Sequence, residues 1–428
     1  MQSSTARKLA QIPGKSLIVG IDPHKRTHAA VMITQQAEVC ARLKIENTRV
    51  DFEHLVKRAQ AERIKAGADS IIFAIEAGSH CWRNLAYYLH EQKLAFRLIS
   101  PYTLKRQREG EDLTRRKNDY RDAMMAAELL RTGKFTETRL LEGGYAELRA
   151  RHQCYRRLRS VHSRIRNQIR ALLDGVFPEF CSEFSDPCGQ TSAAVLSSGP
   201  LPSVIASQNS MAFIATVRQA YVGQRLAIGK LEALHALAAS SVGIEADAKA
   251  VAEELGLLVQ QQRLVAGQIE RVEHELREML PTFDESPYLL SIDGLSALTA
   301  AGIMAEIGPF GNYRDAKDLV KLAGVNPTQS ESGGKSQSHT PMSKKGRAGL
   351  RGCLWQGAVS MLRANQEYRE WAEKLQNRSA ANHPLHRREV LGAAMNKLLR
   401  LCFALVTKKQ MYRRPEAEPK LVPVAVAA

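Results

Sequence analysis

Two acidic residues end apolar segments near the start of the chain. Asp22 closes residues 16–22 (SLIVGID), and Glu76 closes residues 70–76 (SIIFAIE). Both segments have the continuous apolar character of buried strands. A carboxylate at the end of a buried strand loses its hydration, which is costly unless a cation compensates the charge. Asp22 and Glu76 are therefore candidate ligands of a cation.

A second acidic pair lies in the sequence KNDYRDA, where Asp119 and Asp122 are three residues apart. This spacing places both carboxylates on one face of a helix. Acidic groups at two strand ends and one helix start are what a ribonuclease-H-like metal centre needs. Mg²⁺, with Mn²⁺ as an alternative, prefers carboxylate oxygens and keeps positions open for phosphate and water. Two such ions about 4 Å apart can activate a nucleophile and stabilise the leaving oxygen.

The helical pair also has simpler interpretations. Asp122 could form an ion pair with Arg121 or Arg115, and Asp119 could be a helix N-cap, because Asp is favoured at that position. The metal site is the preferred interpretation, since the pair occurs together with Asp22 and Glu76.

The elements that must position these residues follow an α/β pattern over the first ~135 residues. Apolar strand-like segments alternate with segments of helical spacing. The predicted strands are residues 16–22, 29–34, 70–76 and 95–100, and the predicted helices are residues 51–65, 80–92 and 119–131. Residues 29–34 are expected to be the hairpin or meander partner of residues 16–22.

The charge of the chain indicates a polyanionic partner. The net charge is +17 and the isoelectric point is near 9.6. Residues 102–170 alone contain 18 Lys and Arg against 9 Asp and Glu. Each phosphate that a basic surface neutralises releases a condensed counterion, which favours nucleic acid over a merely solvated helix face. The candidate contacts are Arg115, Arg116, Lys117, Arg149, Arg156, Arg157, Arg159, Arg164, Arg166, Arg170, Lys335, Lys344, Lys345, Arg347 and Arg351.

Composition favours a cytoplasmic, nucleoid-associated protein without a membrane partner. The hydrophobic fraction of 44% and the charged fraction of 25% are ordinary for a globular chain. No apolar run reaches the ~18 residues of a membrane span. The first 15 residues lack a signal core, so secretion is not expected. The seven cysteines show no CxxC pair and are interpreted as reduced thiols; Cys181 and Cys188 could share a metal, but no second pair follows.

The middle of the chain is predicted to be helical. Residues 148–173 have an apolar stripe flanked by arginines, and residues 182–210 are rich in Ser, Pro and Gly, as in loops or short helices. Residues 255–279 carry apolar residues at alternating spacings of three and four, with Gln262 as one polar position of the seam. This pattern is typical of a coiled coil, and an intramolecular helical hairpin explains it equally well.

The C-terminal part contains a second chemically suggestive segment. Residues 289–308 place Gly294 between two apolar helical stretches, like a helix-hairpin-helix, whose turn donates N–H groups to phosphates. Residues 324–351 form a Gly-, Ser- and Lys-rich loop that runs into a helix. Ser332 lies in this loop, in the sequence ESGGK. The tail from Arg413 is expected to be disordered.

Taken together, the motifs resemble the transposases of insertion-sequence family 110 and its close relative, family 1111. The matching motifs are GIDPHK, IEAGS and KNDYRDA, followed by IDGLSALTAAGIMAEIG, LAGVNPTQSESGGKS and SKKGRAGLR. They bracket nearly the whole chain in the family's order. Two positions depart from the commonest motifs: Asn118 stands where Thr is usual, and Asp293 stands where Pro is usual.

The resemblance implies a fold class of α/β plus all-α, with four regions. Residues 1–145 would be a ribonuclease-H-like (RuvC-like) catalytic domain, residues 146–284 a helical linker and coiled coil, residues 285–412 a mainly helical, serine-containing transposase domain, and residues 413–428 a disordered tail. Asp22, Glu76, Asp119 and Asp122 would bind Mg²⁺. Ser332 would attack a DNA phosphodiester, although Ser330 and Ser336 are neighbouring alternatives.

Partners also follow from the resemblance. A structured non-coding RNA would bridge donor and target DNA, and the chain would act as a homodimer or homotetramer. Two other hypotheses stay open on the sequence alone. One is a Holliday-junction nuclease that uses water as the nucleophile, and the other is a non-catalytic nucleic-acid-binding protein.

Overall fold

The computed structural model of the chain describes residues 4–111, 118–136, 140–199, 201–328, 331–332, 335–336, 341–378 and 384–413. Only the backbone is described at residues 4, 5, 111, 331, 332, 335 and 336. The chain divides into two compact units, Met1–Leu140 and Leu141–Ala428. The finer division into four regions stays a prediction, and its last region begins where the described residues end.

The first unit is built on a five-stranded sheet with the order β3-β2-β1-β4-β5. The strands are β1 (Ser16–Pro23), β2 (Thr27–Ile33), β3 (Val39–Glu46), β4 (Ser70–Glu76) and β5 (Phe96–Ile99). The first three strands are antiparallel neighbours, whereas β4 and β5 are parallel to β1. The helices are α1 (Ser4–Leu9), α2 (Arg49–Lys65), α3 (Trp82–Glu91), α4 (Pro101–Glu111) and α5 (Asp119–Arg131).

Side chains alternate between the two faces of this sheet, so the unit has two apolar layers. On one face, Val19 and Phe73 pack with Leu55 of α2 and Leu85 of α3. The opposite face, which includes Ile18 and Ala74, packs against α5. The four predicted strands and three predicted helices are confirmed. Three elements were not predicted: the short helix α1, helix α4, and the edge strand β3, whose charged residues interrupt its apolar pattern.

The second unit is almost entirely helical. Its long helices are α6 (Gly143–Val176) and α12 (Ala248–Met279). Between them lie α7 (Phe180–Glu183), α8 (Gln190–Ser197), α9 (Pro202–Ala206), α10 (Ser210–Ala220) and α11 (Ile228–Ala238). After α12 follow α13 (Ser286–Leu290), α14 (Ala297–Ile307), α15 (Ala316–Ala323), the short strands β6 (Glu331–Ser332) and β7 (Lys335–Ser336), α16 (Ala348–Ala364), α17 (Gln366–Gln376) and α18 (Arg387–Lys408).

The predicted seam of α12 packs against α6 of the same chain. Its apolar positions, such as Leu258 and Ile269, are buried, and both helices contribute to shared cores. The polar position Gln262 is also buried, and its Nε2 lies 3.1 Å from Nε2 of His162 on α6. The seam therefore belongs to an intramolecular helical hairpin, one of the two alternatives that the sequence left open.

One helix among the described residues, α18, is long and apolar enough to cross a membrane by length and composition. Its residues Leu398, Leu399 and Cys402 are completely buried in the larger apolar core of the second unit. One face of α18 therefore belongs to this apolar core.

Candidate metal centre

The sheet register brings Asp22 and Glu76 to the same edge and the same face. Strands β1 and β4 are parallel, with Ile21 opposite Ile75, so the next residues along each strand are Asp22 and Glu76. Both have the parity of Ile18, on the face that packs against α5. Asp22 is buried and Glu76 is half-buried.

Helix α5 brings the other two carboxylates to this edge. It approaches β1 closely because Gly20 has no side chain: a Cβ there would lie 2.0 Å from the main-chain oxygen of Ala123. Asn118 is the N-cap, and its Oδ1 accepts a hydrogen bond from N of Tyr120 at 2.9 Å. The N-cap interpretation of Asp119 is therefore wrong, because Asp119 is the first helical residue. Thr, which the commonest form of the motif has at this position, is another capping residue type, so Asn118 preserves this function.

Three of the four carboxylates line one cavity of about 320 Å³, namely Asp22, Glu76 and Asp122. The cavity is also lined by Lys105 and Arg108 of α4. Asp119 lies one helical turn before Asp122, and its side chain is 52% exposed. The four acidic groups therefore come from β1, β4 and the first turn of α5, as predicted.

The ion-pair partner of Asp122 is Arg108. Its Nη2 lies 2.7 Å from Oδ2 of Asp122, whose side chain is only 2% exposed. The sequence suggested Arg121 or Arg115 instead, and Arg115 lies outside the described residues. Oδ1 of Asp122 is buried and has no hydrogen-bond partner within the part of the chain that the structure describes. A buried carboxylate oxygen in this state is costly, so the cavity suits a cation.

His24 is a site residue that sequence reasoning missed. It follows Asp22 in the turn between β1 and β2, where its N–H donates to O of Thr27 at 3.1 Å and is 3.2 Å from Nδ1 of His28. Burial lowers the pKa of His28, which favours the neutral ring that can accept this bond. One ligand atom each from Asp22, His24 and Asp119 lies within 4.8 Å of the others, so these residues could hold a metal ion.

The predicted nucleic-acid contacts fall into three groups. Arg115, Arg116 and Lys117 lie outside the described residues, and only the backbone of Lys335 is described. Arg157, Arg159, Arg164, Lys344 and Lys345 have exposed side chains. The members of the third group are half-buried or contact other protein groups, as in the pair of Arg166 with Asp186 at 2.8 Å. They are Arg149, Arg156, Arg166, Arg170, Arg347 and Arg351.

Two arginines of α6 face a buried carboxylate of the second unit. Arg156 Nη1 lies 3.4 Å from Oε1 of Glu306, and Arg149 Nη2 lies 3.8 Å from its Oε2. Arg347 donates a hydrogen bond to the main-chain oxygen of Glu306. These contacts connect α6 and the start of α16 to α14, so the three arginines have a structural role.

A thiol and an imidazole lie beside this carboxylate. Sγ of Cys353 is 3.5 Å from Nε2 of His152, in space that a Cβ at Gly302 would fill. Burial and two nearby arginines lower the pKa of His152 to about 4. Burial, reinforced by the charge of Glu306, raises the pKa of Cys353 to about 12. Both groups are therefore neutral near pH 7, which suits packing and not nucleophilic catalysis.

The loop that contains Ser332 has a firmly bonded base. N of Lys344 donates to O of Gly324 at 3.0 Å, and Nη1 of Arg351 donates to the main-chain oxygens of Ala323 and Gly346 at 3.0 and 2.9 Å. A Cβ at Gly346 would lie 2.5 Å from N of Gly324, so the two segments touch backbone to backbone. Strand β6 ends at Ser332, which pairs with Lys335 of β7.

The turn between α13 and α14 contains Gly294 with a φ of +86°. A Cβ there would lie 2.8 Å from the main-chain oxygen of Ser360 on α16. The glycine is therefore required for close packing between this turn and α16. Its predicted role in a phosphate-binding helix-hairpin-helix stays a prediction.

Comparison with known proteins identifies the class. A DEDD transposase model of the IS110 type matches residues 19–178, and a model described as "Transposase IS116/IS110/IS902 family" matches residues 286–373. Together they match more than half of the chain. The fold and the carboxylate cluster thus belong to a transposase, an enzyme class that acts on DNA.

Individual relatives agree with this class. The chain is 24% identical over 394 residues to the mini-circle transposase assigned to IS117 of Streptomyces coelicolor. The aligned region covers 87% of this chain and 92% of that protein. It is 32% identical over 148 residues to the transposase for insertion sequence element IS1328 of Yersinia enterocolitica, over 34% of this chain and 43% of that protein. It is 28% identical over 145 residues to the transposase for IS1111A of Coxiella burnetii, over 33% of this chain and 38% of that protein. The chain belongs to the IS110/IS1111 family of transposases.

Proposed function

We propose that this chain cuts and rejoins DNA for an insertion sequence, with Asp22, Glu76, Asp119 and Asp122 as Mg²⁺ ligands and Ser332 as the nucleophile. The first unit would have a ribonuclease-H-like fold, which its strand order and its antiparallel-then-parallel sheet support. The observation that carries the proposal is the convergence of Asp22, Glu76 and Asp122 on one cavity.

The residues of the cavity would have two roles, the binding of a cation and the attraction of a phosphate. When bound, divalent cations polarise a phosphate and stabilise the leaving oxygen. Asp122 is held at Oδ2 by Arg108, which leaves Oδ1 for a cation. Lys105 and Arg108 add positive charge at the cavity wall, where they can attract a DNA phosphate.

The serine would form a phosphoserine with one DNA end and release a deoxyribose hydroxyl. Rejoining would be the reverse attack by a hydroxyl of the other strand, so bond energy is preserved. The bonded base of the loop, between Gly324 and Gly346, supports this role because a nucleophile must be held in position. A structured RNA would bind the exposed arginines of α6, and the active form would be a homodimer or homotetramer.

The test is recombination with the element's end DNA, its flanking transcript and Mg²⁺. Asp119→Ala should abolish recombination, and Ser332→Ala should abolish both recombination and the covalent protein–DNA adduct. Ser330→Ala and Ser336→Ala are matched controls that should retain the adduct. Metal-dependent cleavage without any adduct would instead support the junction nuclease that uses water. An adduct that persists in Ser332→Ala would refute the assignment of the nucleophile.

A further inference from the structure

His24 lies between two of the four carboxylates. Its Nδ1 is 3.8 Å from Oδ2 of Asp22, and its Nε2 is 3.8 Å from Oδ1 of Asp119. Both separations exceed the length of a hydrogen bond, so neither contact fixes the imidazole directly to a carboxylate. The backbone of His24 is nevertheless fixed by the bond from its N–H to Thr27 in the turn after β1. The ring is therefore placed beside the carboxylates by the fold.

A second observation indicates that the site takes a cation. Asp122 lines the same cavity as Asp22 and is buried. Its Oδ1 has no hydrogen-bond partner among the residues that the structure describes. The cavity therefore contains acceptor capacity that Arg108, bound to the other oxygen, does not use.

We propose that His24 supplies a nitrogen ligand to the cation held by Asp22 and Asp119, and that the site therefore prefers Mn²⁺ to Mg²⁺. This inference rests on the proposed carboxylate metal site and specifies which ion that site selects. Mg²⁺ is a hard ion that takes oxygen ligands and gives up its water reluctantly. Transition-metal ions accept imidazole more readily, and Mn²⁺ also suits carboxylates. A mixed nitrogen and oxygen ligand set thus discriminates between the two ions.

The direct test is pulsed electron paramagnetic resonance of the full-length protein loaded with Mn²⁺. Coordination by His24 predicts a ¹⁴N coupling to the bound Mn²⁺. The coupling should disappear in His24→Ala and persist in His54→Ala, a matched control because His54 is exposed on α2. Bound Mn²⁺ without ¹⁴N coupling, or coupling that persists in His24→Ala, would overturn the proposal.

Equilibrium binding provides the second measurement. The wild-type protein should bind Mn²⁺ more tightly than Mg²⁺, and His24→Ala should weaken Mn²⁺ binding by about tenfold or more. Mg²⁺ binding should change by less than about twofold in the same variant. Equal losses for both ions would contradict the selectivity.

A third variant separates the two proposals. If Asp22→Ala abolishes binding of both ions while His24→Ala changes neither, the carboxylate site stands and the role of His24 is refuted. If the wild-type protein binds neither ion, both proposals fail.

Discussion

The close contact of β1 with α5 makes Gly20 a sensitive position for the metal centre. In Gly20→Ala, the new Cβ would lie 2.0 Å from the oxygen of Ala123 and 2.7 Å from N of Ala127. Both are backbone atoms of α5, so no side-chain rotation can relieve the overlap. Helix α5 must move away from β1, and Asp119 and Asp122 must move with it.

The cost can be estimated from overpacking of a well-packed core, which is typically 1–3 kcal/mol. Because the overlap involves backbone on both sides, we expect the upper end, about 3 kcal/mol. This corresponds to a fall in Tm of roughly 5–10 °C for a unit of this size. The affinity for divalent cations should fall as well, since two of the four carboxylates are displaced from Asp22.

The assay is thermal unfolding of the full chain, with hydrogen exchange to localise the change in α5 and titration with Mg²⁺ to measure affinity. Gly14→Ala is the matched control, because a Cβ there would contact nothing within 4 Å. If Gly20→Ala has the Tm and the Mg²⁺ affinity of the control, the close contact does not position the carboxylates and the reasoning fails.

Three further predictions follow from individual contacts. Gly324→Ala, at a φ of +66°, should lower stability by about 1–3 kcal/mol in urea unfolding, whereas Gly352→Ala, with open space around it, should not. The pKa of His152 is lowered on folding, to about 4, so its stabilising contribution is present at pH 7 and is lost as the pH falls from about 6.5 toward 4. Urea unfolding should therefore show a loss of about 2 kcal/mol by pH 5 that is absent in His152→Asn. Arg108→Gln should lower Tm in chelator and increase the gain in Tm on adding Mg²⁺, because Asp122 loses its ion pair with Arg108; equal gains in variant and wild type would contradict this.

The strands and the acidic ligands could be predicted because local patterns determine them. Asp22 and Glu76 are polar interruptions at the ends of apolar strands, and Asp119 and Asp122 share a helical face. Their convergence could be expected from the carboxyl ends of parallel strands. The register that makes Asp22 and Glu76 neighbours, however, depends on pairing between distant segments.

Two tertiary contacts that the sequence missed have no local signature. Arg108 belongs to a basic stretch that the sequence assigns to nucleic acid, and only tertiary packing shows that its guanidinium binds Asp122. Similarly, Arg351 counts as a basic residue in a loop, yet it bonds two main-chain oxygens at the base of that loop. His24 lies in the same motif as Asp22, so its proximity could have been noticed from the sequence.

The most direct test of the central claim is a crystal structure of the protein soaked in Mn²⁺, with anomalous scattering used to locate the ion. We predict an anomalous peak enclosed by oxygens of Asp22, Glu76, Asp119 and Asp122. A well-ordered site without such a peak, with Arg108 and Lys105 neutralising the carboxylates instead, would contradict the claim.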